Sequence, residues 1–507
     1  MRKALAVIDD FLNRLTMYKL LFFGLIVLLI GGIVFSATGA LFFSAKALIG
    51  TIAVLLIVCY LANKLMAIIM DADTNIESWL ITALILACIL QPETSVYKLA
   101  LIALGGLLAM LSKYLVAYRH YHIFNPAAFA AVVLGVTKLL PAIWWIGDPQ
   151  MLILTVIFGL LILRKLHRYQ LFLVFLILSI ALTVIIGLGH HLSASDVIET
   201  AFKSSPLIFL GTVMLTEPIT LPASRKTQLI YAAIVGLIFT SQLSVGSVSA
   251  TPEVALVIGN IFAFIVSPKY KLKLKLESKR QLTPLLYDFG FASDTKINFT
   301  PGQYMEWTLP HEHADIRGNR RSFSIASAPE DKELHMVVRL QPDKSSSFKS
   351  KLNKLNKGDH ITVGKLAGHF IMPKDKSEKL IFIAGGVGIT PFHSMISSLV
   401  KRNEQRDIVV FYLVSDESEY CFKDIWQQAA ILGVKVIPVL THGETSSNWP
   451  GLKGRLSEAM IKDSISDYKD RKYYLSGPNG FVVSYKRLLR GLGIMQQSIV
   501  SDYFSGY

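Results

Sequence analysis

The chain changes its hydrophobic rhythm once, close to residue 270. Before that point apolar residues run on for stretches whose length suits membrane-spanning helices. Ten runs can be counted, near 20–37, 47–68, 79–92, 97–112, 125–141, 150–163, 170–189, 205–222, 228–245 and 253–267. Those at 79–92 and 125–141 are short for a full crossing, the pattern of helices interrupted by Pro or Gly around a site within a bilayer. After residue 270 the pattern shortens. Lys271-Leu272-Lys273-Leu274-Lys275-Leu276 alternates strictly, the period of a half-buried strand. Leu380 to Ala384 is a compact apolar run with the look of a buried parallel strand. It ends in a glycine-rich turn, and Pro391 suits the first turn of a following helix. The expected architecture is an α-helical polytopic membrane domain of about ten spans at 1–268, an antiparallel β-barrel at 269–374, and an α/β domain with a parallel sheet at 375–507.

Composition supports the division. A hydrophobic share of 52% over 507 residues exceeds that of ordinary soluble enzymes, and the excess lies before residue 270. The formal charge of +15 is explained by basic loops between spans; no basic-aromatic motif accompanies it, so nucleic acid is excluded as a partner. Lys113 and Arg119, then Arg164, Lys165 and Arg168, then Arg225 and Lys226, then Lys269 to Lys275 fall in every second loop. The positive-inside rule then predicts a multi-pass protein of the cell (inner) membrane, with the N-terminus and everything after 267 on the cytoplasmic side. The basic stretch Met1 to Lys19 leads into a run long enough to span, unlike a secretory signal. Starting directly after the last run, the lysine-rich strand at 271–276 predicts a barrel held at the anionic membrane surface. Cys59, Cys88 and Cys421 form no C-x-x-C, so no cysteine-ligated iron–sulfur cluster is expected.

The second half also carries chemistry. Arg321-Ser322-Phe323-Ser324-Ile325 is an extended segment offering a permanent cation, an aromatic face and a hydroxyl in succession. That inventory suits a flavin dinucleotide: a phosphate clamp, a platform for a flat ring, and a polar contact near its reactive nitrogen. Gly385-Gly386-Val387-Gly388-Ile389-Thr390-Pro391 joins a strand to a helix N-terminus, a ready anion site, although its spacing is not G-x-G-x-x-G. With Pro301-Gly302-Gln303-Tyr304, the Gly358-Asp359 turn, Ser476-Gly477-Pro478 and the aromatic tail ending in Tyr507, these pieces stand in one order over residues 271–507. In that order they resemble the ferredoxin–NADP reductase superfamily, a FAD-binding β-barrel followed by a nicotinamide-binding α/β domain.

The resemblance implies site residues. Arg321 would meet the FAD pyrophosphate, Phe323 would pack on the cofactor, and Ser324 would lie near flavin N5, with Tyr304 and Ile325 in the same segments. Val338 and Arg339 match a backbone contact segment. Ser347, Lys349 and Ser350 stand in the phosphate loop, where Lys349 replaces the usual small hydroxyl residue. Gly385, Gly386, Gly388, Ile389, Thr390, Pro391, Ser415, Asp416, Gly477 and Pro478 would receive the nicotinamide dinucleotide. Ser476 stands where many members have Cys, and Tyr507 is the candidate flavin lid, with Tyr503 or Phe504 as alternatives. Ser324, Ser476 and Tyr507 would thus border the reacting atoms. Asp416 and Glu417 occupy the place where NADPH users commonly carry Arg or Lys; a carboxylate repels a 2′-phosphate and accepts from a free 2′-hydroxyl, so NADH is expected over NADPH.

Two polar interruptions mark the helical half: Phe124-Asn125-Pro126-Ala127-Ala128-Phe129, and Leu215-Thr216-Glu217-Pro218-Ile219-Thr220-Leu221-Pro222. Glu217 reads either as a site residue at membrane depth or as an interfacial residue where Pro218 ends a helix. With the run count, these segments resemble the NqrB/RnfD family, over about residues 20–268. Its members are membrane subunits of the sodium-translocating NADH:quinone oxidoreductase and of the Rnf complex. The resemblance implies broken helices near flavin sites, with Asn125 and Glu217 as cofactor contacts. The covalent-FMN acceptor S/T-G-A-T is missing; Trp144-Trp145-Ile146-Gly147-Asp148-Pro149 stands there, so non-covalent FMN or riboflavin is expected instead. Together the two resemblances imply a membrane-bound flavoprotein oxidoreductase. It would pass electrons from NADH through FAD and the helical domain to a quinone or an extracytoplasmic flavinylated protein. The alternatives are a haem-containing, ferric-reductase-like transmembrane reductase and a redox-driven ion pump. Against haem, His120, His122, His167, His190 and His191 all fall at run ends or in loops.

Overall fold

The computed structural model describes residues 8–504, apart from 9–10, 13–14, 71–75, 119–120, 204, 223, 247, 268–270, 312–314, 316–318, 342–344, 443–445 and 448. The chain divides into two compact units, Met1–Lys271 and Leu272–Tyr507. The expected lid residue Tyr507 lies outside the described residues.

The first unit is helical: α1 (Met17–Ala37), α2 (Ala45–Ile69), α3 (Ile76–Ile89), α4 (Val96–Leu115), α5 (Pro126–Val136), α6 (Leu152–Leu166), α7 (Tyr169–Gly189), α8 (Ala194–Lys203), α9 (Arg225–Thr240) and α10 (Pro252–Val266). Starts are set by side-chain caps. Thr16 Oγ1 accepts from the Lys19 amide at 3.1 Å, and Ser44 Oγ from that of Ala47 at 3.2 Å. Close crossings depend on small residues: a Cβ on Gly24 would stand 1.9 Å from the Phe158 ring, and one on Gly259 2.5 Å from Val235. Outward faces stay apolar, with Ile68, Ile153 and Ile265 among the most exposed side chains.

Each apolar run is helical over part of its length, but the count of about ten spans is corrected. Among the described residues five helices are long and apolar enough to cross a membrane, or six if the bent pair Ala194–Lys203 and Leu207–Met214 counts as one. The cause is helix length, which composition does not report. The 14 residues of α3 rise only about 21 Å against a hydrocarbon core of about 30 Å. Pro92 follows it, and Pro126 fixes the start of an α5 of 11 residues. The run at 205–222 is broken by a π-turn at Leu210–Met214.

The second unit holds two six-stranded sheets. The first comprises β1 (Leu272–Gln281), β2 (Leu286–Ala292), β3 (Tyr304–Thr308), β4 (Arg320–Ser324), β5 (Leu334–Arg339) and, after the short helix α11 (Ser347–Asn353), β6 (His360–Ala367). It is antiparallel in the order β4-β3-β6-β1-β2-β5. In β1 the alternation holds: Leu274 and Leu276 are buried and Lys273 and Lys275 exposed. The second sheet is parallel, β7 (Leu380–Gly385), β8 (Ile408–Val414), β9 (Val434–Leu440), β10 (Leu452–Lys453), β11 (Lys472–Pro478) and β12 (Ile499–Phe504), in the order β10-β9-β8-β7-β11-β12. Helices α12 (Thr390–Arg402), α13 (Lys423–Ala430), α14 (Glu458–Ser464) and α15 (Asn479–Gly491) connect the strands. β7 and β8 are buried throughout, apart from the half-buried Gly385.

Candidate functional site

In a parallel sheet, ligands collect where the strands end in C-terminal loops. Here the ends of β7, β8 and β11 lie side by side, with Ala384 in register with Tyr412 on one side and Ser476 on the other. The glycine turn opens from this edge. Gly386 has φ +53°, the left-handed region that glycine adopts freely. Gly388 approaches β11 so closely that a Cβ would stand 2.3 Å from the Ser476 carbonyl oxygen. Gly385 and Gly477 both press against the Phe481 ring, each with an ideal Cβ 2.8 Å from it, and Pro478 is exposed beyond them. Thr390 Oγ1 donates to the Val387 carbonyl at 2.7 Å, Ile389 is fully buried, and Pro391 sits in the first turn of α12.

The first sheet is joined to this turn through the end of β4. Tyr304 pairs with Ser324 and Met305 with Phe323, while Ile325 is fully buried just past the strand. Ser394 Oγ, on α12, donates to the Ser327 carbonyl at 2.7 Å. His393 Nδ1 bonds the Ala326 carbonyl at 2.8 Å, and burial pushes this imidazole down to about 4. At neutral pH the ring is therefore uncharged, and its Nδ1 proton points at Ala326. Phe323 packs on Phe348 with ring centroids 5.8 Å apart, and the Arg321 guanidinium lies 5.5 Å from the same ring.

Arg321, expected at the pyrophosphate, and Arg339, expected in a backbone contact segment, both meet carboxylates. Arg321 Nη2 donates to both oxygens of Asp315, at 2.9 and 3.2 Å. The same Asp315 accepts from the Ser347 amide at 3.2 Å, while the Ser347 hydroxyl bonds His311 and the Asp315 amide. Arg339, at the end of β5, sends Nη2 to Glu419 Oε1 at 3.0 Å. Lys349 Nζ donates to the Arg339 carbonyl at 2.9 Å, Val338 is buried, and Ser350 is exposed. Sequence reasoning missed Asp315 and Glu419; both are acids a few residues from an expected contact, which was the available signal.

A flavin and a nicotinamide fit what remains. The Ser324 and Ser476 hydroxyls are buried and have no hydrogen-bond partner among the described residues. A buried hydroxyl left so costs about 1–3 kcal/mol, which a bound polar ring edge would recover. Ser476 is in register with Asp502 on β12, whose carboxyl is pushed up to about 7 by burial. Asp416, expected at the adenosine ribose, is exposed and accepts from the Ser418 amide and hydroxyl at 2.8 and 2.5 Å; Ser415 Oγ donates to Glu419 at 2.8 Å.

The first unit contains a separate polar cluster. Asn125 caps α5 through the Ala128 amide at 3.0 Å and donates Nδ2 to Glu217 Oε2 at 2.9 Å. Thr220 also donates to Glu217, and Asn260 links the Asn125 amide to the Tyr231 hydroxyl. Glu217 is half-buried and lines a cavity with Met17, Tyr18, Ser78, Thr82 and His122. Among the described residues no group of three His, Cys, Asp or Glu is placed to hold a metal.

The second unit is similar to ferredoxin-reductase-type, NAD(P)H-dependent FAD oxidoreductases. Residues 382–487 match the family model for the oxidoreductase NAD-binding domain. Similar curated proteins include the stachydrine N-demethylase reductase component of Rhizobium meliloti, 27% identical over 209 residues, covering 41% of this chain and 58% of that protein. A component of the Na(+)-translocating NADH-quinone reductase of Haemophilus influenzae, the one designated F, is 26% identical over 200 residues, covering 37% of this chain and 48% of its own length. The chain thus spans about half the length of these relatives. Among solved structures, the FAD/NAD-binding domain of nitric oxide dioxygenase from Vibrio cholerae is 21% identical with a TM-score of 0.41, covering 46% of this chain and 98% of that one.

Proposed function

We propose that this chain is a membrane-bound flavoprotein oxidoreductase. It takes electrons from NADH in the second unit and passes them through the helical unit to a quinone or an extracytoplasmic flavinylated protein. The observation that carries the reading is the pair of buried hydroxyls, Ser324 and Ser476, without partners among the described residues. They stand in a unit with a glycine turn and reductase relatives, on a chain whose described residues include five helices long and apolar enough to cross a membrane. FAD, when bound, would supply the conversion of a two-electron donor into single-electron steps.

The rest is positioning by the chain itself. Arg321 and the Ser347–Lys349 loop would hold phosphates, Phe323 would pack on the cofactor, and Ser324 Oγ would hydrogen-bond the flavin edge. The Gly386–Gly388 turn would admit a diphosphate to backbone distance, with Ser476 Oγ facing the nicotinamide. In the helical unit Asn125 and Glu217 would fix the polar edge of a non-covalent FMN or riboflavin, as in the membrane family that residues 20–268 resemble. The division into a membrane domain at 1–268, a FAD barrel at 269–374 and an NAD domain at 375–507 belongs to this proposal.

The test is a flavin inventory of the detergent-purified chain followed by anaerobic NADH titration. FAD together with FMN or riboflavin, all reduced by NADH, is the expected result. A preparation without FAD, or FAD that NADH leaves oxidised, refutes the proposal.

A further inference from the structure

The carboxylate expected to read the adenosine ribose is exposed and engaged in a local turn, and a buried one stands three residues further on. Asp416 closes a local turn with Ser418, and Glu417 accepts from the Ser446 amide and hydroxyl at 2.6 and 2.8 Å. Glu419 is different. It is 8% exposed, and both of its carboxylate oxygens are held. Oε2 accepts from the Ser415 amide at 3.3 Å and hydroxyl at 2.8 Å, at the C-terminal end of β8. Oε1 accepts from Arg339 Nη2 at 3.0 Å. Arg339 comes from the other sheet, so the ion pair closes over the edge where a dinucleotide would enter. Its Nη1 is the nearest atom to an ideal Cβ on Gly386, at 4.0 Å. Its Nε is buried without a partner among the described residues.

We propose that Arg339 and Glu419 form a latch across the dinucleotide cleft, and that Glu419 is the carboxylate that excludes NADPH. This rests on the reading of the glycine turn as a nicotinamide-dinucleotide site. A diphosphate at Gly386 competes with Glu419 for the Arg339 guanidinium, and Arg339 has an unused N–H to offer it. Once Arg339 turns to the diphosphate, Ser415 alone still holds Glu419, leaving Oε1 open beside the end of β8. An open carboxylate oxygen accepts from a ribose 2′-hydroxyl and repels a 2′-phosphate. Binding NADH exchanges one charge-assisted contact for another; binding NADPH adds a like-charge encounter at the same place.

The experiment uses the full FAD-loaded chain in detergent and compares FAD reduction by NADH and by NADPH. Wild type, Glu419→Gln, Glu419→Asp and Asp416→Asn are measured, each with its flavin-to-protein ratio checked first. Glu419→Gln keeps an acceptor for Ser415 and removes the charge. It is expected to raise the NADPH-to-NADH ratio of kcat/KM about tenfold, chiefly through the KM for NADPH, whereas Glu419→Asp keeps the wild-type preference. If NADH reduces the wild type but Glu419→Gln leaves the ratio within about twofold, or Asp416→Asn shifts the ratio in its stead, the latch is wrong and the NADH site stands. If neither dinucleotide reduces wild-type FAD, the site reading and the latch fall together.

Discussion

Gly388→Ala is the sharpest perturbation of the proposed NADH site, because its cost can be worked from one contact. The added Cβ would lie 2.3 Å from the Ser476 carbonyl oxygen, 2.6 Å from its carbon and 2.9 Å from Gly477 Cα. All three are backbone atoms of β11, so no side chain can swing aside. Bringing the carbon to an ordinary contact distance moves the turn and β11 apart by about 1 Å, an overpacking strain of about 1–3 kcal/mol. The displacement falls between the glycine turn and Ser476, the two groups proposed to flank the nicotinamide. Misplacement on that scale costs about a hundredfold in rate where a hydride must travel between aligned rings. The first sheet makes no part of the clash, so FAD content is expected to match wild type. Stopped-flow bleaching of FAD by NADH under anaerobic conditions reads the effect. A rate within about threefold of wild type, with FAD retained, would show that the turn does not set nicotinamide geometry.

Other perturbations separate the parts of the site. Ser324→Ala removes a buried hydroxyl that lacks a partner among the described residues, so the cofactor-free fold should be no less stable, while NADH-driven FAD reduction should slow about tenfold or more; an unchanged rate removes Ser324 from the flavin edge. Asp502, pushed up to about 7 by burial, stabilises the fold fully below the ordinary carboxylate range and loses that contribution as pH rises through about 7. Hydrogen-exchange protection of β12, corrected for intrinsic exchange, should therefore decline across that window in wild type and stay level in Asp502→Asn. Glu217→Gln leaves an amide facing the Asn125 Nδ2 and Thr220 donors, and should lower acid-released FMN or riboflavin without lowering FAD; equal loss of all flavins would place its effect in folding instead.

What could be read from the sequence depended on whether a feature is local. β1 was legible because Leu274 and Leu276 alternate with lysines, and β7 because an apolar run ends in glycines. The number of spans was not, because hydropathy counts composition whereas a crossing needs unbroken helix. Pro92, Pro126 and the π-turn at Leu210–Met214 shorten helices inside runs that look continuous. The acids that follow β8 were hard to tell apart for a similar reason. The three residues Glu417–Glu419 form a single 3-10 turn, in which neighbouring side chains point to different partners, so adjacency to β8 did not reveal which acid is buried against Ser415 and Arg339.

The same limit explains why both carboxylates opposite Arg321 and Arg339 escaped notice. Arg321 meets Asp315 six residues earlier, and Arg339 meets Glu419 eighty residues later. Neither separation has a period that a sequence pattern could expose. Physically the two pairs serve one need. Each guanidinium sits partly buried, and without a counter-charge it would bear the desolvation cost of an unpaired cation. A carboxylate held by a serine, Ser347 for Asp315 and Ser415 for Glu419, supplies that charge, and a diphosphate must then outcompete it. The arginines proposed to meet phosphate and the acids that balance their charge are therefore distinct sets, and of the four only Arg321 lies in a motif that the sequence displays.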